Sequence, residues 1–153
     1  MPGDKGGLGR INVFNRVTID APRPQVYRAL QNMGDWWPRT FRVGAKVVLE
    51  CRVGGSFYED WGDGAGAIYG QVSALSHNER ISIRGPMGIR GPVASVWSIE
   101  LADEDEGRTR VHGSHRAFGD IDEDTSEEYI DGWGEVYNAL RGYLGLKPSA
   151  DQP

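Results

Sequence analysis

The chain predicts an α+β fold: a curved antiparallel sheet of about seven strands wrapped around one long C-terminal helix, with a short helical region after the first strand. Three observations carry this. Six consecutive segments between residues 46 and 118 alternate apolar with polar residues across short connections, the pattern of an antiparallel meander covered on one face. One more alternating segment stands alone near the start, with no partner other than that sheet. Finally, the apolar residues after residue 120 recur at helical spacing. An amphipathic helix laid across the concave face of the sheet buries both surfaces.

The elements follow in order. Residues 1–10 are Gly-rich and read as a flexible terminus, as do residues 148–153, leaving a single domain over residues 11–147. Residues 13–20, VFNRVTID, place Val13, Asn15, Val17 and Ile19 on one face of a strand. APRPQVYRALQNM offers two prolines where a helix can start, then a stripe of Val26, Ala29 and Leu30. It stops near Gly34, before the aromatic corner DWWPRT. KVVLECRV and SFYEDW flank Gly54 and Gly55, a hairpin cue. AIYGQVSALS, RISIR, VASVWSIELA and RTRVHGSHRAF complete the set. Ser76 and Glu79 match capping-box spacing, but the residues beyond them alternate, so a turn is expected there. The last helix begins in an acidic run suited to its dipole, with Thr125 and Glu128 as a capping box. Gly132, Gly134 and Gly142 each weaken it by up to about 1 kcal/mol relative to Ala, so packing against a close surface is expected to compensate.

Composition narrows the function. The chain has 153 residues, 39% hydrophobic and 25% charged, with a net charge of -5, which argues against general nucleic-acid binding. No apolar run approaches the roughly 20 residues that span a bilayer, and the start lacks the apolar core of a signal peptide. The cytoplasm is the expected location. The single cysteine, Cys51, excludes an internal disulfide and paired-cysteine zinc sites, and is expected to be a small buried residue. Three scattered histidines carry no ligand spacing, so neither metal nor cofactor is expected. GDGAG at residues 62–66 lacks the Lys–Ser/Thr and following helix of a phosphate-binding loop and reads as turn chemistry.

VTIDAPRPQVYRAL, then WWP, then the hairpin RVGGSFYEDW with the following GQV, and finally GWGEVYNALRGYL together resemble the START and birch-pollen-allergen superfamily (SRPBCC). This is the helix-grip fold. The nearest likeness is to its branch related to the activator of heat-shock-protein ATPase, over residues 13–146. The resemblance implies a cavity between sheet and helix holding a small, largely hydrophobic molecule such as a lipid, a polyketide or an aromatic compound. It supplies no universal catalytic motif.

Alternation assigns the inward residues separately: Phe57, Glu59 and Trp61; Ile68, Gly70, Val72 and Ala74; Trp97, Ile99 and Leu101; Val111, Gly113, His115 and Ala117. The helix adds Ile130, Trp133, Tyr137 and Leu140. Gly70, Gly113 and Ala117 either leave room for a ligand or permit the sheet to curve. With Trp37 from the aromatic corner, the expected ligand-binding residues are Phe57, Glu59, Trp61, Ile68, Val72, Trp97, Ile99, His115, Trp133 and Tyr137. Trp36 and Trp37 either cap the cavity or anchor their loop. The Gly- and Pro-rich segment GPMGIRGPVAS either gates the mouth or is an ordinary long hairpin loop.

A buried carboxylate must be paired, hydrogen-bonded, protonated or wet, and the alternative for Glu59 is a place at the sheet's rim beside an Arg. His115 near that carboxylate would make an acid–base pair, or else be a hydrogen-bonded structural residue. His112 falls on the outer face and His77 in a turn. Three readings follow. The first is a binding domain for a small hydrophobic or aromatic molecule, monomeric or homodimeric. The second is a polyketide cyclase or dehydratase-like enzyme, with Glu59, His115 and Tyr137 as catalytic candidates. The third is a chaperone-accessory interaction module.

Overall fold

The computed structural model of the chain describes residues 8–150, with side chains to residue 145. Seven strands, β1 (Leu8–Ile19), β2 (Lys46–Leu49), β3 (Ser56–Gly62), β4 (Ala65–Ser76), β5 (Arg80–Arg84), β6 (Val93–Glu104) and β7 (Arg108–Asp120), form one curved antiparallel sheet in the order β1-β7-β6-β5-β4-β3-β2. The lone first strand joins the sheet as expected, pairing with β7 from Leu8↔Asp120 to Ile19↔Thr109. Leu8, Gly9 and Arg10 are therefore strand residues rather than part of a flexible terminus. Residues 1–7 and 151–153 lie outside the described residues. Helix α1 (Arg23–Gln31) starts after Pro22, with Pro24 in its first turn, where a missing N–H costs nothing. Helix α2 (Glu123–Ala150) lies across the inner face of the sheet, continuing beyond the expected boundary at residue 147.

The core follows the two periodicities. Phe57, Trp97, Ile99, Leu101, Val111 and Ala117 point inward from the strands, and Trp133, Val136, Tyr137, Leu140 and Leu144 meet them from α2. Ile130, expected on that stripe, is exposed. The acidic start of α2 is capped by Asp122, whose Oδ1 accepts the Thr125 N–H at 2.8 Å. Thr125 is thus the third helical residue rather than the cap: Asp122 supplies the same acceptor one turn earlier. The GDGAG turn joins β3 to β4 through Asp63 and Gly64, both at positive φ (55° and 80°), the backbone of a two-residue hairpin turn whose twist matches its strands.

Simple alternation is interrupted at Trp61, Tyr69 and Ser73, where the register shifts, and the interruption at Tyr69 shapes the site. Tyr58 pairs with Ile68 and Phe57 with Gly70, leaving Tyr69 as an extra residue in a β-bulge. The bulge turns Tyr69 inward, 7% exposed, and Ile68 outward, 63% exposed. Ile68 is therefore not an inward residue, since one inserted residue reverses the parity of those before it. Gly70 and Val72, beyond the insertion, remain buried.

Candidate functional site

The glycines on the inner face are filled rather than vacant. A Cβ on Gly113 would lie 1.7 Å from the Tyr137 hydroxyl, and one on Gly70 would lie 2.6 Å from Ile83. At Gly113 the helix closes directly on the sheet. Space opens instead at one end, where a pocket of about 630 Å³ lies between the first half of α2, the loop after α1 and the loop joining β5 to β6. Its walls are aromatic and aliphatic: Trp37, Phe41, Tyr69, Tyr129 and Trp133, with Met87, Ile89 and Val136. Arg39, Arg90, Asp120 and Glu128 supply charge.

The pocket's loops are held by specific bonds. Glu59, fully buried, accepts hydrogen bonds from the Phe41 and Arg42 backbone N–H groups, the Trp61 indole and the Tyr69 hydroxyl, at 2.8, 2.9, 2.8 and 2.8 Å. Burial pushes this carboxyl upward, but the four donors outweigh it and hold it below its ordinary value. The Arg42 guanidinium stacks 4.2 Å from the Trp61 ring centre. An ionised carboxylate beneath the aromatic wall thus ties the loop at residues 41 and 42 to β3 and β4. The alternatives of a protonated or wet acid do not arise, and its lone pairs are committed.

The loop between β5 and β6 is tied just as firmly. The Met87 N–H donates to the Tyr69 carbonyl at 2.8 Å, and the Tyr129 hydroxyl donates to the Met87 carbonyl at 2.7 Å. Burial, then Glu128, push the Tyr129 phenol up to about 12. Burial, then the Glu59 carboxylate, raise that of Tyr69. Both stay neutral donors.

His115 lies in a separate network. Its Nδ1 accepts the Trp133 indole N–H at 2.9 Å, and its Nε2 lies 2.7 Å from the Ser95 hydroxyl. A ring nitrogen that accepts has no proton, so the neutral imidazole carries its proton on Nε2 and donates to Ser95. Burial lowers its pKa to about 4. Tyr137, its phenol raised by burial, accepts the Trp97 indole N–H at 3.0 Å. Glu59, His115 and Tyr137 are each buried and hydrogen-bonded, and no hydrogen bond joins them to one another.

The expected ligand residues therefore divide. Trp37 and Trp133 line the pocket. Phe57 and Trp97 stand behind Trp37, with ring centres 5.2 and 5.7 Å from it. Glu59, Trp61, His115 and Tyr137 form supporting bonds, Val72 and Ile99 pack in the core, and Ile68 faces outward. The tryptophan pair splits as well: Trp36 anchors its loop through its N–H to the Ala29 carbonyl at 2.8 Å, while Trp37 is the wall. Phe41, Tyr69, Met87, Ile89 and Tyr129 were not anticipated. All but Tyr129 lie in loops or at the bulge, where no periodicity signals them, and Tyr129 adjoins the exposed Ile130. Among the described residues no group of His, Cys, Asp and Glu is arranged to hold a metal ion, and no helix is long and apolar enough to cross a membrane. Cys51 is half-buried beside the Tyr27 hydroxyl at 3.7 Å, and burial raises its thiol pKa, the setting of an unreactive cysteine.

Comparison with known proteins agrees with this architecture. The family model for Activator of Hsp90 ATPase homolog 1-like protein matches residues 20–145. No curated protein matches the chain in sequence. Among solved structures, a protein from Rhizobium leguminosarum superposes with a TM-score of 0.72 at 17% identity, covering 92% of this chain and 97% of that one. The Aha1 dimer from Colwellia psychrerythraea gives 0.63 at 20% identity, over 88% and 96%. CalU16 from Micromonospora echinospora gives 0.63 at 20%, over 90% and 81%. At these identities the likeness is one of fold.

Proposed function

Since the chain belongs to the family of Activator of Hsp90 ATPase homolog 1-like proteins, within the helix-grip superfamily, we propose that it is a small-molecule binding domain. Its ligand is a flat, largely apolar or aromatic molecule. The observation that carries this reading is the pocket of about 630 Å³ with five aromatic side chains on its walls, within the range of about 300–1,000 Å³ typical of small-molecule sites. Apolar burial would supply the affinity, at about 25 cal/mol per Å². The charged groups at the rim would orient a polar end.

The cyclase-like alternative has less support. Glu59 is ionised but spent on four donors, and His115 is neutral with both nitrogens engaged. Neither lines the pocket. An acid–base mechanism would have to dismantle the bonds that shape the site.

The test is native mass spectrometry of freshly purified protein with extraction of any adduct, followed by titration with a hydrophobic fluorescent probe. The spectrum also distinguishes monomer from homodimer. Gly132 lines the pocket, and a Cβ there would meet only the flexible Arg39 side chain, at 3.6 Å. Gly132→Leu should therefore fill the space, abolishing probe binding while leaving the unfolding temperature unchanged or higher. Probe binding that survives Gly132→Leu intact would remove the pocket from consideration.

A further inference from the structure

The outer face of the sheet, which shares no lining residue with the pocket, carries an open trough of about 1190 Å³ running across β1, β7, β6 and β5. Its floor includes Ser114 and Ser98, which pair with each other, and Ser98 also pairs with the buried Ser82, their hydroxyls 2.8 Å apart. Two residues along the strands on one side stand Arg116 and Arg84, and two residues along on the other stand Arg16 and Arg80. At about 3.3 Å per residue the two banks are about 13 Å apart. Phe14, at one end of the serine row, is 67% exposed, and Phe118 is 49% exposed beneath the Arg10 guanidinium at 6.0 Å.

Five guanidinium groups thus line this trough against one carboxylate, Glu100, in a chain whose net charge is -5. Arg80 is paired with Glu100, whereas Arg10, Arg16, Arg84 and Arg116 make no ion pair among the described residues. Net charge therefore conceals a segregated basic face, which changes the inference drawn from composition alone. Guanidinium forks suit phosphates, and exposed aromatic rings interleaved with them suit unpaired bases. An acidic peptide would satisfy the cations and leave both rings uncovered. A duplex would hide its bases from them. We propose that this outer face binds single-stranded nucleic acid, with phosphates on Arg16, Arg84 and Arg116 and bases stacked on Phe14 and Phe118.

Fluorescence anisotropy tests this with a labelled single-stranded oligonucleotide of about fifteen nucleotides, its duplex, and a labelled poly-glutamate peptide. Three phosphate contacts predict that single-strand affinity falls about eighteenfold between 50 and 200 mM salt, and Arg84→Gln/Arg116→Gln should reduce that fall to about threefold. Phe14→Ala/Phe118→Ala should weaken binding at least about fivefold at every salt concentration without changing the slope. All four substituted side chains are exposed, and matching circular dichroism melts will establish that the variants are folded. Absence of oligonucleotide binding at low salt overturns the proposal. So does poly-glutamate or duplex binding of equal strength that ignores the phenylalanine substitutions, which would reassign the face to a purely electrostatic partner.

Discussion

At Glu59, burial and hydrogen bonding pull the carboxyl in opposite directions, and the four donors win. Its folded pKa lies below the unfolded value, so its contribution to stability is complete above about pH 4.3 and is lost as pH falls through the folded value. Glu59→Gln turns an amide N–H toward groups that are themselves donors. It should cost about 2–4 kcal/mol in urea unfolding at pH 7, and the variant should then lose less stability than wild type on acidification to about pH 3. Parallel losses would mean that folding does not lower the pKa of this carboxyl. His115 titrates in a different window. With a folded value of about 4 and an unfolded value near 6.5, the unfolded chain binds more protons between them. Stability should therefore be unaffected above about pH 6.5 and fall by up to about 3 kcal/mol on descending to pH 4. Nitrogen-15 NMR at about pH 6 should show a neutral ring protonated on Nε2; an imidazolium spectrum would contradict the network.

Among the elements, alternation in the sequence was enough to recover all seven strands and the side of the sheet on which Trp97, Ile99, Val111 and His115 lie. It failed at Ile68 because a bulge is a local insertion that leaves no trace in the pattern of apolar residues, and the tyrosine beside it took the inward place. It also misplaced the cap of α2, where Asp122 and Thr125 both have the chemistry to cap and the choice is settled by where β7 ends. The helix glycines were expected to touch a close surface. A Cβ on Gly134 or Gly142 meets nothing within 4 Å, so no contact requires glycine there. Gly134→Ala and Gly142→Ala should each stabilise by up to about 1 kcal/mol, raising the melting temperature. Gly113 behaves oppositely. Gly113→Ala should be severely destabilising, and its cost should shrink when Tyr137→Phe removes the nearest atom, a coupling readable in a double-mutant cycle.

For the molecule as a whole, the fold was legible and the pocket was not. The core follows from periodicities of two and 3.6, which act over a few residues. The pocket's walls come from two loops whose shapes are set by bonds across the sheet, from Glu59 to residues 41 and 42 and from Tyr129 to Met87. Nothing in the local sequence around Phe41 or Met87 announces those partners. Glu59 itself was conspicuous as an acid among aromatics, but the sequence left burial and a place at the sheet's rim equally open. Its role as a fastener for the pocket's rim depends on a loop that only three dimensions bring near.

The pairing of β1 with β7 also bears on how the chain is made. Every other neighbouring pair of strands is consecutive in sequence, whereas Ile19 waits for Thr109 and Leu8 for Asp120. During synthesis the first strand emerges early and remains without its partner until the penultimate element has left the ribosome. Contacts of such long sequence separation form slowly, and an unpaired amphipathic strand is open to incorrect association in the interval. Nascent chains halted before Arg108 should remain protease-sensitive throughout, and protection of residues 8–19 should arise only once β7 is exposed. Early protection would indicate that β1 first borrows another edge and exchanges it later.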